Sequence, residues 1–237
     1  MKKLLLIVLF LSQGAFAQAV VFLEINDTLQ KPKYQEFIYL NENTDISGTV
    51  RVAKIKAVGS QDNPALLYNL IKGAAQKAGA NAFRLVQIDK FPDETAELTL
   101  ETFYANDSIL GVNFHNIEKN RAYIFGDQNL LETKTQSCKV NNQKYELKAG
   151  HYLKFPVLPG SKLEIRKGSI GGTVVKVDGT AGKSSKFYSL KGFQITGGDA
   201  SNDHAQVNFS TGDIVQVEPN LALLLLKIFD EQIPENK

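Results

Sequence analysis

The sequence contains no tryptophan, one cysteine and three histidines, and each scarcity removes chemistry. A single thiol, Cys138, cannot close a disulfide within the chain. Without tryptophan the broadest platform for stacking a sugar ring is missing, and the adjacent Phe187 and Tyr188 are expected on opposite sides of one strand. His115, His151 and His204 stand too far apart for a local zinc pair, whose ligands fall about three to five residues from each other. No serine occupies a G-x-S-x-G setting, the turn that exposes a hydrolase nucleophile.

An excess of one charge is lacking too. The chain carries 27 basic and 25 acidic residues. Residues 1–17 hold Lys2 and Lys3 and no acid, so the remainder balances at 25 against 25. Nucleic acid and anionic membranes need a concentrated basic surface, and neither is expected as a partner.

Long apolar runs are short in number and in length. "MKKLLLIVLFLSQGAFAQA" has a basic start, an apolar stretch over Leu4–Leu11, and Ala15-Phe16-Ala17 as the small-x-small pattern that signal peptidase reads. Cleavage is expected between Ala17 and Gln18, with export to the periplasm or the extracellular space. The stretch falls short of the ~20 residues that span a bilayer. "LALLLLKIF", Leu221–Phe229, is also too short, and reads as a strand buried on both faces or an exposed partner-binding strand.

What is present reads as globular: 43% of residues are hydrophobic and 22% charged, enough for one large or two small domains. Residues 18–105 are expected to form a small α+β domain with one main helix. Asp62 or Asn63 can cap it, Pro64 suits its first position, and Leu66, Leu67, Leu70, Ile71, Ala74, Ala75 and Ala78 make one stripe. Gly79 ends it by accepting a left-handed backbone. "GTVRVAKIKAV", "NAFRLVQID" and "AELTLETFYA" read as strands, the first with an irregularity, and "VVFLEIND" adds an edge strand. The polar segment 106–119 reads as a linker.

Residues 120–231 show short alternating runs between turns and no helix stripe, the pattern of a β-sandwich; residues 232–237 form a tail. In "CKVNNQKYELKAGHYLKFPVLPGSKLEI", Asn141-Asn142, Ala149-Gly150 and Pro159-Gly160 each read as a turn between strands, because asparagine and glycine accept positive φ. Pro156 cannot donate to a ladder and marks an edge or bulge position.

This stretch resembles small secreted bacterial domains of unknown function that are similar to carboxypeptidase regulatory-like sandwiches. Val140, Asn141, Asn142 and Lys144 match their first turn, Gly150 and Tyr152 the middle strand, and Pro159 and Gly160 the last turn. Asn142 replaces the usual glycine. The resemblance implies a fold and a non-catalytic role, with no functional residue to carry over. The helix end Gly79-Ala80-Asn81-Ala82 resembles that of small β-α-β-β envelope domains, some of which assemble into rings.

Few constellations carry chemistry. "AGKSSK", Ala181–Lys186, is similar to the end of a phosphate loop, but Val177 stands where the motif needs glycine, and no helix pattern follows to receive phosphate. Asp199, Asp203 and His204 share one loop and are the least implausible metal ligands, with a spacing that misses the EF-hand. Cys138 and His151 lie on successive expected strands and offer a hydrolase dyad. Asp93 and Glu94 beside Pro92 read as solvated. The reading that follows is an exported, non-catalytic binding or structural protein without a cofactor, acting through contacts with an envelope protein or polymer and open to oligomer formation. The alternatives are a small-molecule or metal-binding module, and a hydrolase built on Cys138 and His151.

Overall fold

The computed structural model describes residues 19–26, 36–168, 172–190 and 214–233. Residues 1–18, which include the expected leader, the segment with Asp199, Asp203 and His204, and residues 234–237 lie outside the described residues. Within them the chain is mostly β, with three sheets and three helices.

The first sheet joins β1 (Ala19–Ile25), β2 (Ile38–Tyr39), β3 (Val50–Ser60), β4 (Ala82–Lys90) and β5 (Thr95–Tyr104) in the order β1-β3-β5-β4-β2. The expected irregularity in β3 is a register shift between Arg51 and Ala53. Helix α1 (Pro64–Lys77) begins as its residues dictate: the Asn63 side chain accepts from the Leu66 amide at 3.0 Å, and Pro64 stands where no amide donor is needed. It ends before Gly79, whose φ is +102°. Leu66, Leu67, Ile71 and Ala75 are buried against β3 and β5, and Leu70, Ala74 and Ala78 are partly buried. Tyr68, which falls off the expected stripe, is buried as well and touches Phe37 and Phe83. On the opposite face, Arg51, Lys54 and Lys56 of β3 lie between Glu24 of β1 and Glu97 and Glu101 of β5, with Lys56–Glu97 at 2.8 Å and Arg51–Glu101 at 2.5 Å. That face is the solvated one.

Two expectations fail here, and both misread a helix. The segment 106–119 is no plain linker: α2 (Asp107–Asn116) occupies it. The Asn106 side chain caps the Ile109 amide at 3.1 Å and Asp107 lies in the first turn, while Ile109 and Leu110 pack on Leu40, Ala82, Phe103 and Ala105. Buried Asn113 accepts from the Asn41 amide at 2.7 Å and the Thr44 hydroxyl at 3.0 Å, and donates to Tyr39 O at 2.9 Å. Likewise Leu221–Phe229 is no strand. Pro219–Ile228 forms α3, capped by the Glu218 carboxylate on the amides of Asn220 and Leu221. A short apolar run fits a buried helix as well as a buried strand; Glu218-Pro219 is the start signal that decides it. The chain therefore has three helices among the described residues, not one main helix.

Two further sheets lie beyond. One contains β7 (Gln136–Val140), β8 (Gln143–Leu147), β10 (Lys162–Lys167) and β11 (Thr173–Asp178) in the order β11-β10-β7-β8. The other contains β6 (Arg121–Phe125), β9 (His151–Pro156), β12 (Lys186–Ser189), β13 (Val215–Gln216) and β14 (Asp230–Glu231) in the order β13-β12-β6-β9-β14. They enclose a shared core that includes Ile124, Cys138, Leu147, Leu153, Ile165 and Tyr188. Asn141 and Asn142 turn β7 into β8 with φ of +48° and +69°, the double left-handed geometry of a tight hairpin. Pro156 pairs with Arg121 on one side, and β14 reaches only His151 and Tyr152 on the other, so its missing donor costs no ladder bond.

Strand alternation sends Phe187 and Tyr188 to opposite faces. Tyr188 enters the core between these two sheets. Phe187 joins Tyr123, Phe125 and the buried side chains of α3 in a cluster that continues through Tyr39 and Phe83 into the α1 sheet. Helix α3 thus lies between the first and third sheets, with Phe229 edge-on to Phe125 at 5.9 Å. The Asn220 Oδ1 accepts from the Tyr39 amide at 3.1 Å, and Lys227 pairs with Glu42 at 2.8 Å. None of the helices among the described residues is long and apolar enough to cross a membrane.

Candidate functional site

Three surfaces stand out, and sequence reasoning singled out no complete one. The first is a cleft of about 230 Å³ where α3 meets the third sheet, walled by Tyr39, Tyr123, Tyr152, Phe187, Leu223 and Leu226. Tyr123 and Phe187 stack at 5.2 Å. Glu118 lies at the mouth, in the segment read as linker. Its carboxylate accepts from Tyr123 Oη at 2.7 Å, from Lys154 Nζ at 2.8 Å and from Arg121 Nε at 2.8 Å. Partial burial works to raise its pKa, but the bonds from Lys154, Tyr123 and Arg121 outweigh it and leave the carboxyl below its usual range. Burial and the bond to Glu118 push the Tyr123 hydroxyl far up. Burial, with Glu42 nearby, raises Tyr39 to about 12. At neutral pH the tyrosines are therefore neutral and the glutamate is charged and fully engaged.

The second surface is a cleft of about 200 Å³ at one end of the sandwiched sheets. Arg121, Lys176, Lys183 and Lys186 line it, with Asp178 the one acid, over a floor of Val157, Val177 and Tyr188. The "AGKSSK" residues sit here, though strand β12 follows them and no helix does. Asn120 fixes this turn. Its Oδ1 accepts from the Gly182 amide at 2.8 Å, its Nδ2 donates to Thr180 O at 2.5 Å, and its amide donates to Lys183 O at 2.9 Å. Ser185 Oγ donates to Glu118 O at 2.8 Å.

The third surface is β1. Val21 is 43% exposed, Phe22 40%, Leu23 46% and Ile25 56%. The strand pairs with β3 on one side, and no described strand pairs with its other side. It carries neither proline nor lysine, and its single charge, Glu24, is taken up by Arg51 at 2.6 Å. These are the devices that normally keep an edge from meeting another strand.

The described residues singled out for catalysis or metal binding sit in different elements. Cys138 is buried in the core of the second sheet, and burial pushes its thiol up to about 11, so it stays protonated at neutral pH. His151 opens β9 in the third sheet and its Nδ1 faces Ala149 O at 2.8 Å. Asp93 caps Thr95 in an exposed turn beside Glu94. His115 Nδ1 is engaged with Gly111 O at 2.8 Å within α2. Among the described residues no group of three or more His, Cys, Asp or Glu side chains is placed to hold a metal ion. The segment with Asp199, Asp203 and His204 lies outside them. Compared with known proteins, the chain matches no family model, no curated protein and no solved structure.

Proposed function

We propose that the chain is an exported, non-catalytic binding protein, built as an α+β unit fused to a β-sandwich, and that it meets an envelope protein by strand addition at β1. The open edge of β1 carries this reading. An unpaired row of backbone donors and acceptors, flanked by apolar side chains on both faces, is what an extended segment needs in order to add a strand. Ring-forming behaviour in the domains that the helix end resembles fits the same use of an edge. Support for a non-catalytic role comes from the aromatic cleft, where each charge already has its partner and Glu118 offers no free base.

The test is a pull-down of envelope proteins on the chain from Gln18 onward, run beside a Leu23→Pro form. Leu23 lies in the register shift of β1, a bulge position where proline is tolerated, so the substitution alters the open edge with little cost to the fold. A partner retained by the native strand and released by the variant supports the reading. Identical profiles from the two forms sink it.

A further inference from the structure

The cationic cleft concerns a different surface from β1 and a different class of ligand. Apart from its leader the chain balances at 25 basic and 25 acidic residues, yet this cleft gathers four cations and one acid. Lys183 and Lys186 have no carboxylate partner among the described residues. Arg121 gives only its Nε to Glu118, at 2.8 Å, which leaves its terminal nitrogens unpaired there. Lys176 reaches Glu164 only at 3.8 Å, and Asp178 is shared with Lys162 at 3.7 Å. Both are loose surface contacts that solvent screens. Like charges held together repel and cost stability, so the cluster stands against its own electrostatics.

The frame beneath it is tied together by hydrogen bonds. Asn120 is itself in the left-handed region, with φ of +57°, and binds both sides of the 180–183 turn. The Arg121 amide donates to Ser185 Oγ at 3.2 Å, and the Val157 amide donates to Asn120 O at 2.9 Å. The cationic side chains therefore project from backbone that is already ordered, and a ligand need only order the lysine tips. Tyr188 and the two valines supply an apolar floor next to the charges. At about 200 Å³ the cleft is smaller than the ~300 Å³ of a drug-sized pocket. It suits a charged group with one ring attached.

We infer that this cleft binds an oxyanion carried on a sugar-sized unit, a phosphate or sulfate monoester held by Lys183, Lys186 and Arg121 with the ring over Tyr188. The chemistry is shared by a free sugar phosphate and by one unit of an anionic polysaccharide. It does not depend on the phosphate-loop motif, which the strand beginning at Lys186 rules out.

Amide resonances of the chain from Gln18 onward are followed by NMR during titration with glucose 6-phosphate, inorganic phosphate, glucose and a sulfated oligosaccharide. The expected result is a saturable shift centred on Gly182, Lys183 and Lys186 with the phosphorylated sugar, weaker with inorganic phosphate and absent with glucose. Lys183→Ala and Lys186→Ala should each weaken binding about three- to fivefold, the size of an exposed ion pair. Lys139→Ala, on an exposed site of β7 away from the cleft, should leave it unchanged. Tighter binding of the sulfated oligosaccharide identifies a polysaccharide as source, and equal or weaker binding identifies a free sugar phosphate. The inference is overturned if none of the anions shifts residues 182–186, if glucose matches its phosphate, or if the double lysine variant, folded by circular dichroism, binds as the native chain does.

Discussion

The two edges of the first sheet are treated in opposite ways. At β2, Tyr39 is buried, its amide is taken by Asn220 Oδ1 at 3.1 Å, and α3 lies across the edge. At β1, four large apolar side chains are exposed and no described strand pairs with the outer side. An edge strand leaves backbone groups that no neighbouring strand pairs, and covering them removes a route to unwanted association. One edge has a whole helix laid across it, while among the described residues the other has neither cover nor gatekeeping residue. The difference teaches that β2 belongs to the interior, whereas β1 is the edge on which the proposed strand addition rests.

The sharpest way to break the comparison is to damage the cover. Leu225 on α3 is fully buried in the cluster that joins both halves. Leu225→Ala should cost about 3 kcal/mol in denaturant unfolding. One shared transition is expected, because the cluster spans the first and third sheets; two separate transitions would show that β2 is covered only by contact between independent units. Next comes Asn81, at the foot of the β2 edge. Its Nδ2 and Oδ1 bond Ala105 O and N at 2.8 Å each, and its backbone oxygen accepts from Ile38. Asn81→Ala leaves two buried backbone groups unpaired and should cost about 2 kcal/mol.

A pH series contrasts covered and open surfaces without cutting anything. The Cys138 thiol is raised from 9.0 to about 11 by burial. A raised folded-state pKa gives stability that is full below the unfolded value and is lost as pH rises from about 9 through about 11. Cys138→Ala should flatten that alkaline decline in a comparison of midpoints at pH 8 and pH 11, by an amount on the order of 1 kcal/mol. An unchanged slope would mean that the thiol reaches water in the folded state. The smallest effect on stability is expected at the open edge. Val21→Lys should change unfolding by less than about 0.5 kcal/mol while abolishing any partner retained through β1. A large loss of stability there would show that β1 is already an interior strand.

Much of the first sheet was legible because its signals are local. Asn63-Pro64 and Gly79 bound α1, and strict alternation marks β5, whose inward Leu98 and Leu100 are fully buried. Asn141 and Asn142 announce their hairpin through residue type alone. The two misread helices show where local signals stop. In α2 the apolar residues make no single stripe, since Val112 and Phe114 are exposed while Ile109 and Leu110 pack inward, and the buried Asn113 bonds to Asn41, Thr44 and Tyr39, more than 65 residues away. In α3 nearly every residue is apolar, so no stripe distinguishes helix from strand, and the deciding contacts are with two different sheets. The clefts were illegible for the same reason. Glu118 and Lys154, or Lys176 and Lys183, are brought together by sheet register and not by spacing in the chain.

By itself the amino-acid sequence determined the near balance of charge, the position of α1, the turns of the second and third sheets, and the fate of Cys138 as a residue without an intrachain partner. These follow from backbone preference and from composition, which act within a few residues. Only the tertiary structure decided that α3 is a helix laid between two sheets, that one sheet edge is sealed and the other bare among the described residues, and that four cations share a cleft. Each depends on surfaces meeting across long stretches of chain, where burial and pairing outweigh what any short segment prefers alone.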